Sequence, residues 1–174
     1  MGVKQFNASY NKQEDRMVFR FNTHDDQEFL FWFTRFITKA IIDAVDQLIQ
    51  KNLEQKHNPQ IAEVIKDFQS DGVKKTTKMD ESYAGATNYP FGKEPILVTA
   101  LNFHLMGDVF SMDFKLIDQK NVNIKLPIAA TQKMALLLRT LCERAQWGVS
   151  EQESDTVIPN VDSSTKAGPS GLMH

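Results

Sequence analysis

The chain has 174 residues, 41% of them hydrophobic and 24% charged, a composition that suits one domain with a packed core and excludes a fibrous or wholly disordered protein. Its 20 basic and 22 acidic residues give a formal charge of -2, so no global positive field gathers nucleic acid or anionic lipid, and binding of either needs a local patch. The single Cys142 excludes an intrachain disulfide and a multi-cysteine zinc site; with no apolar run near the roughly 18 residues of a membrane helix, and no apolar core in the first residues, the expectation is a cytoplasmic protein with no membrane partner.

From Val3 to Phe33 apolar residues alternate with polar ones, which predicts strands around Phe6, Ala8 and Tyr10, around Met17, Phe19 and Phe21, and around Phe29, Phe31 and Phe33. The connections are short, so an antiparallel meander is expected. After Thr34 the period changes: Ile37, Ala40, Ile41, Ala44, Val45 and Leu48 recur at helical spacing to about Lys51. Residues 53–94 break the pattern. Asn58-Pro59 followed by Ile61, Val64, Ile65 and Phe68 predicts a short second helix, and the polar stretch from Val73 to Lys93, with Lys74-Lys75-Thr76-Thr77-Lys78, reads as a long exposed loop. Strand patterns return at Ile96–Met106, Val109–Ile117 and Val122–Ile128, and a helix with Met134, Leu137, Leu138, Leu141 and Ala145 on one side is expected from about Thr131 to Trp147.

Sliding the sequence by 95 residues lays Phe19 on Phe114, Arg20 on Lys115, Phe31 on Leu126 and Ile41 on Leu136, core class on core class. The predicted architecture is α+β, with two β-β-β-α units (1–52 and 95–148) whose antiparallel meander sheets are each covered on one face by a helix. Residues 53–94 form an insertion between them. Residues 149–174, rich in Ser, Asp, Glu, Gly and Pro, read as a disordered tail. That tail holds four acidic residues and Lys166, leaving 19 basic and 18 acidic residues in the body.

No Gly-rich phosphate loop, HExxH, Gly-x-Ser-x-Gly or paired cysteines occur, and His24, His57, His104 and His174 are too scattered to share a helix face, so no catalytic residue, cofactor or metal is expected. His24-Asp25-Asp26 reads as ordinary turn chemistry. Cys142, among apolar residues, reads as a small hydrophobe. The informative set is the sheet face opposite the core. With the Phe positions inward, alternation leaves Val18, Arg20, Asn22, Glu28, Leu30 and Trp32 outward in the first unit, and Asn102, His104, Lys115, Ile117, Asn123 and Lys125 in the second. An exposed face that mixes Trp32, Leu30 and Val18 with cations is an oligomer or protein interface, a single-stranded nucleic-acid surface, or a face covered by the insertion. Arg35, at the entrance of the first helix where a cation is mildly unfavourable, either meets a phosphate or an acidic partner, or pairs with Glu28 or Asp26 across the hairpin.

The stretch Glu14-Asp15-Arg16, Arg20-Phe21-Asn22-Thr23, Gln27-Glu28-Phe29 and Phe31-Trp32-Phe33-Thr34-Arg35 resembles a signature of small bacterial proteins, a resemblance that implies no particular activity. In architecture alone, a strand meander followed by a helix and present twice resembles the Whirly and Pur groups of single-stranded nucleic-acid-binding proteins. Their repeats carry four strands before the helix, whereas three are counted here. Fold analogy does not by itself fix function; the first expectation is a non-enzymatic protein that binds single-stranded DNA or RNA, with Arg20, Leu30, Trp32, Arg35, His104, Lys115 and Lys125, drawn from the outward face and the helix entrance, as the nucleic-acid or partner contacting set. The rival expectation is a protein-interaction or scaffold subunit using the same face, and a homo-oligomer is expected under either.

Overall fold

The computed structural model describes residues 2–56 and 83–148. The elements are β1 (Val3–Asn11), β2 (Arg16–Thr23), β3 (Glu28–Phe33), α1 (Arg35–Lys56), β4 (Ile96–Met106), β5 (Val109–Leu116), β6 (Asn121–Pro127) and α2 (Ile128–Arg144). The short helix expected at Asn58–Phe68, the Lys74–Lys78 stretch and the expected tail lie outside the described residues.

The fold is α+β, with the six strands in one mixed sheet of order β1-β2-β3-β4-β5-β6. Each meander is antiparallel, and β3 and β4 join them in parallel, with Phe31 opposite Ile96 and Trp32 opposite Leu97. The two separate sheets expected from the sequence are thus halves of a single one. A parallel seam needs a long crossover, and α1 with the residues after it supplies that length.

The sheet curls. Phe19 on β2 and Phe114 on β5 are three strands apart, about 14 Å in a flat sheet, yet their rings lie 6.5 Å apart. At the far edges Gly2 bridges Lys125, bringing the first strand to the last. Both helices pack inside this curl in one core: Ile37, Ile41, Ile42, Val45 and Ile49 of α1 and Met134, Ala135, Leu138, Leu141 and Cys142 of α2 meet the inward residues of the strands. Arg139 of α2 donates to the Asp46 carboxylate of α1, tying the helices together.

Local chemistry sets the joints. Asn11 Oδ1 accepts from the backbone N–H groups of Gln13 and Glu14, closing the β1–β2 turn, where Asp15 takes a positive φ of 46°. The β4–β5 turn places Gly107 at φ 60°, a conformation open to glycine without strain. Thr34 caps α1 by accepting from the Ile37 N–H at 3.2 Å. Helix α2 stops short of the Trp147 end expected from its periodicity. Gln146 turns left-handed at φ 56°, and the Trp147 N–H reaches back to the Cys142 carbonyl at 3.0 Å.

Cys142 is fully buried, and burial pushes its thiol up to about 11. At pH 8 roughly one thiol in a thousand is then thiolate. Iodoacetamide is therefore expected to leave the native protein unlabelled while modifying it promptly in denaturant. Equal labelling in both states, followed by mass spectrometry, would contradict this packing.

Candidate functional site

Strand alternation sorts the outward residues, and the register shows which of them are neighbours. None of Val18, Leu30, Trp32 or Leu97 packs into the core cluster. Val18 is opposite Trp32 and Trp32 opposite Leu97, while the Ile117 N–H donates to the Leu97 carbonyl at 3.0 Å. Val18, Trp32, Leu97 and Ile117 therefore form an apolar row across β2, β3, β4 and the end of β5. Ile117 is the open end, 62% exposed. Arg16 and Lys115 flank the row on the side of the β1–β2 turn, and Arg20 and Leu30 flank it on the other. Arg16 has a long contact to Glu14, 3.9 Å.

The end of the face beyond Arg20 is covered by a strap, residues 83–88. The Asn22 side-chain amide donates to the Ala84 carbonyl at 2.6 Å, and the Ala84 N–H donates to Gln5 Oε1 at 3.3 Å. The Ala86 N–H donates to the buried Glu28 carboxylate at 2.6 Å, and the Thr87 hydroxyl donates to Asp26. Backbone bonds between Glu28 and Asn88 and between Asn88 and Asp26 finish the attachment. The Arg20 guanidinium lies over the Tyr83 ring at 4.4 Å from its centroid. Burial pushes the Tyr83 phenol well above its ordinary value, and the Glu28 carboxylate adds to the shift. Residues 83–88, read from sequence as part of an exposed loop, are thus fastened to the sheet because Asn22, Asp26 and Glu28 present acceptors and donors to their backbone.

The second half of the face is polar. His104 is opposite Ser111, with its Nε2 3.6 Å from Asp113 Oδ2. Asn123 Nδ2 donates at 2.7 Å to both Ser111 Oγ and Asp113 Oδ1. Serine, histidine and aspartate meet here without the relay of a nucleophile, because the described contacts join Ser111 to Asn123 and not to His104. Lys115 and Lys125 are exposed, and among the described residues their ammonium groups have no ion-pair partner.

Arg35 stands apart from the other residues singled out in the sequence. It pairs neither with Glu28 nor with Asp26. Its guanidinium lies 4.0 Å from Asp15 and 5.4 Å from the centre of the Trp147 ring. The Trp147 indole N–H and the Tyr10 hydroxyl both donate to Asp15 Oδ1 at 2.8 Å. Those two bonds, the indole one first, hold the Asp15 carboxyl below the usual carboxylate range, and the same carboxylate raises the Tyr10 phenol. This cluster ties the β1–β2 turn to the start of α1 and the end of α2.

The structure brings Arg20, Leu30, Trp32, His104, Lys115 and Lys125 onto one outer face, split into an apolar half and a polar half, and sets Arg35, which the sequence grouped with them, in the cluster of Asp15 and Trp147 instead. Sequence reasoning missed Leu97 and Tyr83. Leu97 sits in the unbroken apolar run Ile96-Leu97-Val98, which carries no phase, and a register shift between Val98 and Ala100 follows it. Tyr83 belongs to a segment without periodicity. Among the described residues no group of three or more His, Cys, Asp and Glu is placed to hold a metal ion, and no helix is long and apolar enough to cross a membrane. Comparison with family models, curated proteins and solved structures finds no match to this chain.

Proposed function

We propose that this chain is a non-enzymatic interaction protein that binds a protein partner through the outer face of its sheet. The observation that carries the reading is the row Val18, Trp32, Leu97 and Ile117. Four apolar side chains stand side by side on the face opposite the core, ending in an isoleucine 62% exposed. Water solvates such a row poorly, and covering it with apolar groups of a partner returns free energy in proportion to the area removed from water. We also read the β-β-β-α order, which occurs twice, as two similar units. The parallel seam between β3 and β4 has a counterpart in the parallel bridge of Gly2 to Lys125.

A second reading, single-stranded DNA or RNA, has its own support in the exposed Lys115 and Lys125, which have no ion-pair partner among the described residues, and in Trp32 as a stacking ring. Two features favour the protein reading. Trp32 is half-buried among aliphatic neighbours, and Arg20 already lies over Tyr83.

The test compares the immobilised intact chain with its Ile117→Asp variant, exposed to nuclease-treated and untreated extract at low and high salt. The expected result is protein retained at both salts, insensitive to nuclease, and lost with Ile117→Asp. Nucleic acid captured at low salt, released at high salt and abolished by Lys115→Glu with Lys125→Glu would replace the protein reading with the nucleic-acid one, because phosphate contacts weaken steeply with ionic strength.

A further inference from the structure

We infer that the partner of the outer-face row is an acidic amphipathic helix that lies across the strands, with its apolar stripe on Val18, Trp32, Leu97 and Ile117 and its carboxylates toward the cations on either side. The inference rests on the reading of that face as an interaction surface and names the class of partner. Spacing, charge and symmetry each bear on it.

The row runs perpendicular to the strands. Val18 is opposite Trp32, Trp32 is opposite Leu97, and the Ile117 N–H bonds to the Leu97 carbonyl, so the four side chains step from strand to strand. Neighbouring strands are about 4.8 Å apart, which makes the row about 15 Å long. Apolar residues at i, i+4, i+7 and i+11 of a helix follow one another every 4.5 to 6 Å or so, over about 16 Å. An extended segment laid along the row presents side chains on one face only about every 7 Å, and three such steps overrun it. The helical spacing is the closer match.

Charge selects the sign. Arg16 and Arg20 lie two residues to either side of Val18 on β2, and Lys115 lies two residues before Ile117, each about 7 Å from the row. A helix about 10 Å across, seated on the row, carries its flanking positions over these cations. Lys115 is exposed and has no ion-pair partner among the described residues, Arg16 reaches Glu14 only at 3.9 Å, and Arg20 keeps its charge over the Tyr83 ring. Nearby carboxylates are engaged within the chain: Asp118 accepts from Lys120 at 2.7 Å, Asp113 from Asn123 at 2.7 Å, and Glu28 from the Ala86 N–H under the strap. Carboxylates on the partner meet cations here, and a basic helix would be repelled.

Symmetry disfavours a second copy of this chain. A two-fold axis that lays the row on itself runs along the row or across it. The first sets Arg20 of one copy over Arg16 and Lys115 of the other, and the second sets each flank over the same flank. Cations oppose cations in both.

The experiment selects random phage-displayed peptides of about 16 residues, enough to span i to i+11, on the immobilised full chain, with counter-selection on Ile117→Asp. Ile117 is 62% exposed, so that variant keeps the fold. The selected peptides are expected to carry apolar residues at helical spacing and more Asp and Glu than Lys and Arg, and to turn helical by circular dichroism on binding. A synthetic copy should lose about tenfold or more of its affinity with Ile117→Asp, which puts a charge under the apolar stripe, and about fivefold with Lys115→Glu. High salt should weaken it a few-fold without abolishing it. Selected peptides that are basic, that alternate with period two, or that show no dependence on Ile117 would overturn the inference. So would a dimer in sedimentation that Ile117→Asp dissolves, because a second copy would then hold the row. If any of these came with Ile117-dependent capture of protein from extract, the interaction reading would stand and only the acidic helix would be lost; capture unchanged by Ile117→Asp would overturn both.

Discussion

Replacing Phe114 by alanine is expected to cost about 3–5 kcal/mol of folding stability, the range for removing a fully buried phenylalanine. The ring is the meeting point of the two halves of the sheet. It takes the edges or faces of Phe31 at 5.6 Å, Phe33 at 5.5 Å and Phe19 at 6.5 Å, all near-perpendicular. Phe33 in turn stacks on Phe19 at 5.0 Å, and Phe21 stacks on Phe29 at 5.1 Å. Edge-to-face pairs of this kind contribute beyond the area they bury. Alanine at 114 leaves a void that Phe19, Phe31 and Phe33 cannot fill without leaving their stacks. Phe114→Leu should cost less, because it keeps most of the volume. Urea unfolding followed by far-UV circular dichroism measures both. A loss under about 1 kcal/mol for alanine would mean that the two halves do not share this core.

Why the fold was so legible follows from the same residues. Phe19 and Phe21, and then Phe29, Phe31 and Phe33, recur at every second position, and a period of two puts them all on one face of a strand. The strand from Ile96 to Met106 begins and ends where the pattern does. Two features were beyond the pattern. Periodicity describes one element at a time, so it assigns Phe31 and Phe114 to inner faces but says nothing of the seam that brings β3 beside β4. It also does not foresee hydrogen bonds to a distant backbone, and it is these that fasten Ala84 to the Asn22 side chain, Ala86 to the Glu28 carboxylate, and the Asn88 backbone to those of Glu28 and Asp26.

The candidate site was legible to a similar depth. Val18, Trp32 and Ile117 are assigned outward by alternation alone, but their adjacency depends on register, and Leu97 completes the row only once β4 lies parallel to β3. Arg35 shows the opposite case. From sequence its nearest acidic candidates are Glu28 and Asp26, across a hairpin. Glu28 is instead buried under the strap, Asp26 is engaged by Thr87, and the carboxylate that reaches Arg35 is Asp15, from the preceding turn. Chain proximity mispredicts ion pairs when a turn folds back over a helix start.

Trp147→Ala is the second large loss, expected at about 3–5 kcal/mol because the ring is buried and large. Its indole does two jobs. It packs edge-on against Tyr10 at 5.7 Å, and it donates to Asp15 while lying under Arg35. Trp147→Phe keeps most of the packing and removes the donor, so it should cost less than alanine and change the pH dependence instead. Asp15 has its folded pKa below the unfolded value, so its contribution is present above the ordinary carboxylate range and is lost as pH falls through the folded value. Tyr10 has its folded pKa raised above 10.0, so its contribution is present below that value and is lost as pH rises through the higher folded one. The wild-type protein should therefore lose stability at both margins, below about pH 4 and above about pH 10. In Trp147→Phe the acid-side loss should shrink, because the largest cause of the Asp15 shift is gone. The alkaline margin should remain, because Tyr10 still donates to Asp15. Thermal melts from pH 2 to 11 separate the two effects, and an acid margin unchanged by Trp147→Phe would show that the indole does not hold the Asp15 carboxylate.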